Sequence, residues 1–538
     1  MKPIIYFLLL CFFTSGVSAQ DRDISYMSSG GKLNPLQANM DIRHYTLALD
    51  VDIADESIAG YVTIDFMLQQ PTDTVLFDLV HFLNVTKISA GKKSKTFFRD
   101  HDFIFIVDAN GFKAGRQSVK IEYNGKPPVA VNPPWQGGFG WKKDSAGNPW
   151  VAINCQLQGA KVYFPCKDHP SDEPNEGVDM FITVPKGLKV AGPGLLQSVT
   201  TKKDKQTFHW KTNYTISNYC IVFDIGKYAV VKDTYTTING NKVPMEFYVL
   251  EEHQSEAKEI LALRARDTRI LEKYFGEYPW VKEKIGIAEV PNSGMEHQTM
   301  ITYGGNSGNF QTRKVGDLDF NGNLFHEYTH EWFANKVTNK DWSQMWIQEG
   351  ITTYADALFS REASGERGYD SAMVMIRKGI KNKIPVVQGD ALNSVVAYNG
   401  DIYPKGAFMM HTLRYVLGDD LFFPTLKKLA TDPKYTYDNF VVTDDVEKLF
   451  SAASRKNLKP LFDFCLRTTN KLEIVIKETG YHQYNVRCTN LPMPLDVDVL
   501  TNTGTQKIIL SNKGVQIISN FTPVVDSNGY YLKTVTSD

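Results

Sequence analysis

His326-Glu327-Tyr328-Thr329-His330 stands past the middle of the chain, and Glu349 follows after eighteen further residues, inside Met345-Trp346-Ile347-Gln348-Glu349-Gly350. On a helix, positions four apart share a face, so both imidazoles can meet one ion. Glu327 lies one residue round from His326, able to touch a water on that ion without ligating it. Zinc suits such a set, because it takes nitrogen and oxygen ligands and keeps a position open for water. Phe325 before the motif and Trp332-Phe333 after it predict a helix embedded in a core, not two histidines on an exposed surface. The stretch around Glu349 is aromatic and aliphatic, carries one acid and closes on Gly350. It reads as a buried second helix that delivers a third ligand.

The surroundings of this stretch are unlike one another. From residue 40 to residue 230, short runs alternate apolar and polar as half-buried strands do, for example Tyr45-Thr46-Leu47-Ala48-Leu49-Asp50-Val51. Asn110-Gly111, after the run Phe103 to Val107, predicts a hairpin turn. Pro133-Pro134 through Gly147-Asn148-Pro149 reads as a long loop within this β region. After Pro244 the pattern becomes helical, beginning with Glu251 to Phe275, and stays so to residue 468. Strand patterns return in the tail, as in Leu472-Glu473-Ile474-Val475-Ile476.

The chain has 538 residues, 42% of them hydrophobic, and balances 59 basic against 60 acidic residues. That is the composition of a globular protein with several domains. A net charge of −1 offers no general basic field for nucleic acid. Lys2, the apolar run Ile4 to Phe13 and the small residues Ser15 to Ala19 read as a cleavable export signal, too short to span a bilayer. Cys11 offers a lipoprotein alternative, although two phenylalanines follow it. No later segment has eighteen consecutive apolar residues, so no membrane span is expected in the mature form. The remaining cysteines, Cys155, Cys166, Cys220, Cys465 and Cys488, lack paired metal spacing and read as buried thiols.

With its ligand spacing, the chain resembles the gluzincin metallopeptidases, and within them the zinc aminopeptidases typified by aminopeptidase N. Ser293-Gly294-Met295-Glu296-His297 is similar to that family's Gly-Ala-Met-Glu-Asn motif, and Tyr403-Pro404-Lys405-Gly406 to its Tyr-Glu-Lys-Gly segment. Asp41-Ile42-Arg43-His44-Tyr45 and Phe164-Pro165-Cys166-Lys167-Asp168 resemble its N-terminal markers. The resemblance implies one zinc ion on His326, His330 and Glu349, with Glu327 as general base and Tyr403 as donor to the oxyanion. It implies that Glu296 binds the free amine of a peptide substrate and that Gly294 and Met295 line the path of the first residue. Gln156 would assist there, with Gln158 beside it in the same stretch.

The expected architecture is multidomain α+β: a signal peptide (1–20), a β-rich saddle-like N-terminal domain (21–232), a thermolysin-like, mainly helical catalytic domain (233–468) and a small β-sandwich (469–538). Ser293, Gly294 and His297 depart from the exopeptidase motif, and Ala334 stands where a glycine usually follows the helix motif. None of these removes a ligand, the base or the amine-binding acid. The chain also looks like a short form, without the large C-terminal helical domain of many relatives, which would leave a more open cleft. The expected function is a zinc aminopeptidase acting on peptides in a periplasmic or extracellular setting. Nothing in the sequence sets its oligomeric state. The alternatives are a thermolysin-like endopeptidase and a catalytically inactive peptide-binding protein on the same scaffold. A third is epoxide hydrolysis, known from a family member and kept open by Tyr398, five residues before Tyr403.

Overall fold

The strand Met40–Asp52 shows how the N-terminal part is built. Met40 and Ile42 point inward, a bulge intervenes between Ile42 and His44, and Tyr45, Leu47, Leu49 and Val51 then resume the buried face. The extra residue shifts the phase of the alternation, so both halves of a long strand stay in register with one core. The computed structural model describes residues 28–304 and 310–537, and elements are counted among the described residues. The expected signal peptide, residues 1–20, lies outside them.

Met40–Asp52 lies inside an eight-stranded sheet, between Val178–Pro185 and Ser57–Leu68. A three-stranded sheet (Thr72–Asp78, Phe103–Phe112, Thr96–Asp100) and a four-stranded one accompany it. The predicted hairpin at Asn110-Gly111 does not form. Both residues belong to Phe103–Phe112, and the next strand, Gly115–Gly125, joins the other sheet. Here the Asn-Gly pair makes a wide bulge opposite Thr72–Thr74, with Gly111 at φ +72°. The proline-rich stretch is not one long loop either. Gly138–Lys143 pairs with Pro149–Asn154.

A five-stranded sheet begins the next region, in the order Tyr228–Thr236, Lys242–Leu250, Ile285–Glu289, Ile301–Tyr303, Gly294–Met295. The expected boundary at 232/233 falls within the first of these strands. Its alternation resembles that of the strands before it, and only its pairing assigns it forward. Pro244 also lies in a strand, opposite Thr234 and just before the parallel pairing with Ile285–Glu289 starts at Met245, so its missing N–H leaves no ladder bond unmade. The first long helix is Ala257–Phe275, and Glu251–His253 is a separate 3-10 turn.

Helices then dominate to Leu466. The tail forms a four-stranded and a three-stranded sheet. It is seated on the helix Pro404–Leu417: Tyr415 stacks on Tyr530 with ring centroids 4.0 Å apart and donates to Asp498 at 2.8 Å. The five cysteines are free thiols, four of them buried and Cys465 half-buried. Among the described residues no helix is long and apolar enough to cross a membrane.

Candidate metal centre and amine pocket

Asn321 starts the motif helix, Gly322–Thr329. Its Oδ1 accepts from the Leu324 N–H at 3.0 Å, while its Nδ2 donates to the Tyr303 hydroxyl at 2.7 Å. One side chain thus caps the helix and ties it to the sheet. Phe325, Tyr328, Trp332 and Phe333 are fully buried, as their apolar character predicts. His326 and Glu327 project from this helix and His330 closes it. The His330 Nδ1 faces the Phe333 carbonyl at 2.8 Å; a carbonyl only accepts, so that nitrogen carries the proton and Nε2 is left as a ligand.

Glu349 comes from the first turn of Trp346–Gly379, with 3% of its surface exposed. Its Oε2 lies 3.4 Å from His326 Nε2 and 3.3 Å from His330 Nε2, and the two nitrogens are 3.3 Å apart. A tetrahedral ion with bonds of about 2.0–2.1 Å has ligand-to-ligand edges of about 3.3–3.4 Å. The three atoms therefore form one face of such a tetrahedron and leave the fourth vertex open, which fits zinc. Among the described residues this is the one cluster of its kind.

Without a cation the triangle holds protons. Burial opposes charge on His330, but the adjacent Glu349 carboxylate outweighs it and raises the imidazole to about 10. Burial likewise opposes ionisation of Glu349, yet the charge on His330 holds it low. A divalent ion would displace such protons on binding. Glu327 stands beside the triangle but outside it. Burial, joined by Glu296 and Glu349 against the two histidines, lifts its carboxyl to about 7, where it can take and return a proton.

Glu296 follows the edge strand Gly294–Met295 and is 3% exposed. Gln156 Nε2 and the Tyr219 hydroxyl both donate to its Oε1, at 2.5 and 3.0 Å. Burial raises this carboxyl, with His330 opposing and Glu349 reinforcing the rise. Gln158 has other work. Its Oε1 accepts from the Gly137 N–H at 2.7 Å, so of the two glutamines it is Gln156 that reaches Glu296. Gly294, at φ +123°, is required by its own sheet, because a Cβ there would sit 2.5 Å from the Thr302 carbonyl oxygen. Met295 pairs with Thr302 and is buried.

Tyr403 immediately precedes Pro404–Leu417. Its hydroxyl is 3.4 Å from that of Tyr398, and its ring centroid is 5.9 Å from that of His326. Burial, with Glu349 nearby, raises its phenol well above the usual range, so it stays a proton donor. Gly350 does not end the Glu349 helix as expected. It lies inside it, where a Cβ would come within 2.6 Å of the Gly406 Cα. Two helices cross at this pair of glycines, and the crossing brings Tyr403 to Glu349.

Several supporting residues carry no motif that marks them in the sequence. Asp356 lies two turns after Glu349 on the same helix face. Its carboxyl, raised to about 6 by burial, faces the field of His326. Its spacing of seven from Glu349 is the one available signal. Glu331 accepts from Trp280 Nε1, the Thr299 N–H and Asn335 Nδ2 at 2.7, 2.9 and 3.0 Å, and Asn335 also donates to the Glu296 carbonyl at 2.9 Å. Together they fix the segment that carries Glu296. His297 is fully buried with neither ring nitrogen hydrogen-bonded, and burial lowers it to about 3, so it is neutral.

A family model described as the peptidase family M1 domain matches residues 263–464, and one described as the peptidase M1 N-terminal domain matches residues 42–220. Over 475 residues the chain is 22% identical to mitochondrial aminopeptidase 2 of Saccharomyces cerevisiae, covering 81% of this chain and 47% of that protein. Leukotriene A-4 hydrolase of Xenopus laevis is 23% identical over 418 residues, covering 72% of this chain and 64% of that one. The chain spans about half the length of the first curated relatives it matches. Among solved structures, an M1 zinc metallopeptidase of Deinococcus radiodurans superposes with a TM-score of 0.65 at 21% identity, covering 80% of this chain and 94% of that one. The same enzyme has been solved with a Tyr-Ser-Ala substrate.

Proposed function

The chain belongs to peptidase family M1, and from that premise we propose that it is a zinc-dependent aminopeptidase that removes N-terminal residues from peptides. The carrying observation is the buried Glu296 carboxyl beside the triangle of His326, His330 and Glu349. An acid in such a site favours a cationic partner, and the α-ammonium of a peptide supplies one. An internal peptide segment carries no such charge, which weighs against an endopeptidase.

Zinc held by His326, His330 and Glu349 would supply Lewis acidity, acidifying water and polarising a carbonyl. Glu327 takes the proton of the attacking water and returns it to the leaving amine. The Tyr403 phenol donates a hydrogen bond where the scissile carbonyl oxygen gains negative charge. Glu296, steadied by Gln156 and Tyr219, fixes the amine and thereby sets the first peptide bond against Glu327 and Tyr403. Met295 and Gly294 form the edge along which the first residue lies.

Paired reporters test this reading, one with a free amine and one N-acetylated, each with and without chelator. Turnover of the free-amine reporter is expected to disappear on chelation and return with zinc, and the acetylated twin to react about 100-fold more slowly. Faster cleavage of the acetylated twin would establish the endopeptidase instead, and binding without turnover the inactive binding protein. Export belongs to the same proposal, supported by Lys2, the apolar run Ile4 to Phe13 and the small residues up to Ala19. The mature chain is expected to begin near Gln20 on N-terminal sequencing; a protein retaining Met1 inside the cell counts against export.

A further inference from the structure

We propose, resting on the aminopeptidase function, that Trp135 is a specificity residue. Its indole forms the wall against which the side chain of the substrate's first residue packs, favouring a large apolar or aromatic residue there over a small one.

Trp135 is 48% exposed, unusual for the largest apolar side chain, yet its backbone is firmly held. Asn132 and Gln136 exchange backbone hydrogen bonds at 3.3 and 2.8 Å, closing a tight turn that carries Trp135. A single buried amide clamps the exit of this turn. Gln158 Nε2 donates to the Trp135 carbonyl at 3.3 Å, and Gln158 Oε1 accepts from the Gly137 N–H at 2.7 Å. Gly137 lets the turn settle, because a Cβ there would lie 2.1 Å from the Asn154 carbonyl oxygen.

This clamp fixes Trp135 at both ends of the first residue's path. Gln158 is two residues from Gln156, whose amide holds Glu296 at the amine end. On the other side, the Trp135 side chain hydrogen-bonds the Tyr398 phenol, and Tyr398 lies 3.4 Å from Tyr403 at the carbonyl end. Between a peptide's amine and its first carbonyl there is one carbon, and that carbon bears the first side chain. A rigid indole strapped to both ends and left open to solvent is placed to cover that side chain. Its apolar face leaves water when a large side chain binds and stays wet beside a small one. Selectivity of this origin is worth about tenfold to a hundredfold.

The test compares the native enzyme with Trp135→Ala and Trp135→Phe on reporters that share one leaving group and differ in the first residue: Phe, Leu or Ala. A second panel holds Ala first and varies the second residue. The native enzyme is expected to favour Phe and Leu over Ala at least tenfold in kcat/KM. Trp135→Ala should cut that ratio about tenfold, and Trp135→Phe, which keeps a ring but loses the indole N–H, should restore most of it. An unchanged ratio, including a uniform loss on all three reporters, overturns the proposal, and so does a change that follows the second residue. Native enzyme inert on every free-amine reporter instead sinks the aminopeptidase reading and this proposal with it, a result distinct from turnover with an unaltered preference.

Discussion

His330 and Glu349 meet from two neighbouring helices nineteen positions apart in sequence, whereas Glu296 meets Gln156 across 140 positions and Tyr219 across 77. The metal end of the cleft is thus a local construction. Helix periodicity places His326 and His330, and the glycine-to-glycine crossing sets the depth of the neighbouring elements. The amine end exists only where the N-terminal β region is seated on the edge of the five-stranded sheet. Chemistry carried by local spacing tolerates shifts between domains, while chemistry assembled across a seam depends on them.

The largest effect is expected at the metal end. Glu327→Gln should lower kcat by about 10³-fold or more while bound zinc, measured by elemental analysis, stays stoichiometric. Persistent turnover would remove Glu327 as the base. Tyr403→Phe should cost about 10²- to 10³-fold in kcat with little change in KM, because its hydrogen bond matters chiefly as charge develops. At the amine end, Glu296→Ala should lower kcat/KM for free-amine reporters by about 10²-fold and shrink their advantage over acetylated twins. If that advantage survives intact, the two ends do not divide the work as described. Asp356→Asn should weaken zinc binding by about 10- to 100-fold in a competitive chelator titration, through the orientation and basicity of His326. The smallest effect is mechanical. Gly406→Ala places a methyl 2.7 Å from the Gly350 Cα, and overpacking of that kind costs about 1–3 kcal/mol in denaturant unfolding. Activity should fall with it, because the same crossing positions Tyr403.

Legibility tracks range along the chain. His326 and His330 can be placed from spacing alone, because four residues of helix return a side chain to the same face. Asp356 carries the same kind of signal, two turns from Glu349, but a lone acid on a long helix is ordinary and does not stand out. Gly350 suggests a helix end and is not one: a glycine that stops a helix and one that admits a second helix look alike in one dimension. Asn110-Gly111 misleads for a related reason. The dipeptide does bend the chain, but whether it makes a hairpin or a bulge depends on which sheet receives the next strand, and that choice is made by distant partners. Gln156 and Gln158 differ by two positions, yet one holds Glu296 and the other a loop.

By itself, the sequence determined the ligand set, the general base and the alternation of β, helical and β regions, all properties that repeat along a few turns or strands. The tertiary structure alone decided which glutamine serves the amine pocket, how Tyr403 reaches Glu349, and where Glu331 and Asn335 anchor Glu296. Those outcomes depend on contacts between segments far apart in the chain. Only the packed core, with its close approaches and buried hydrogen bonds, chooses among the many pairings that local pattern allows.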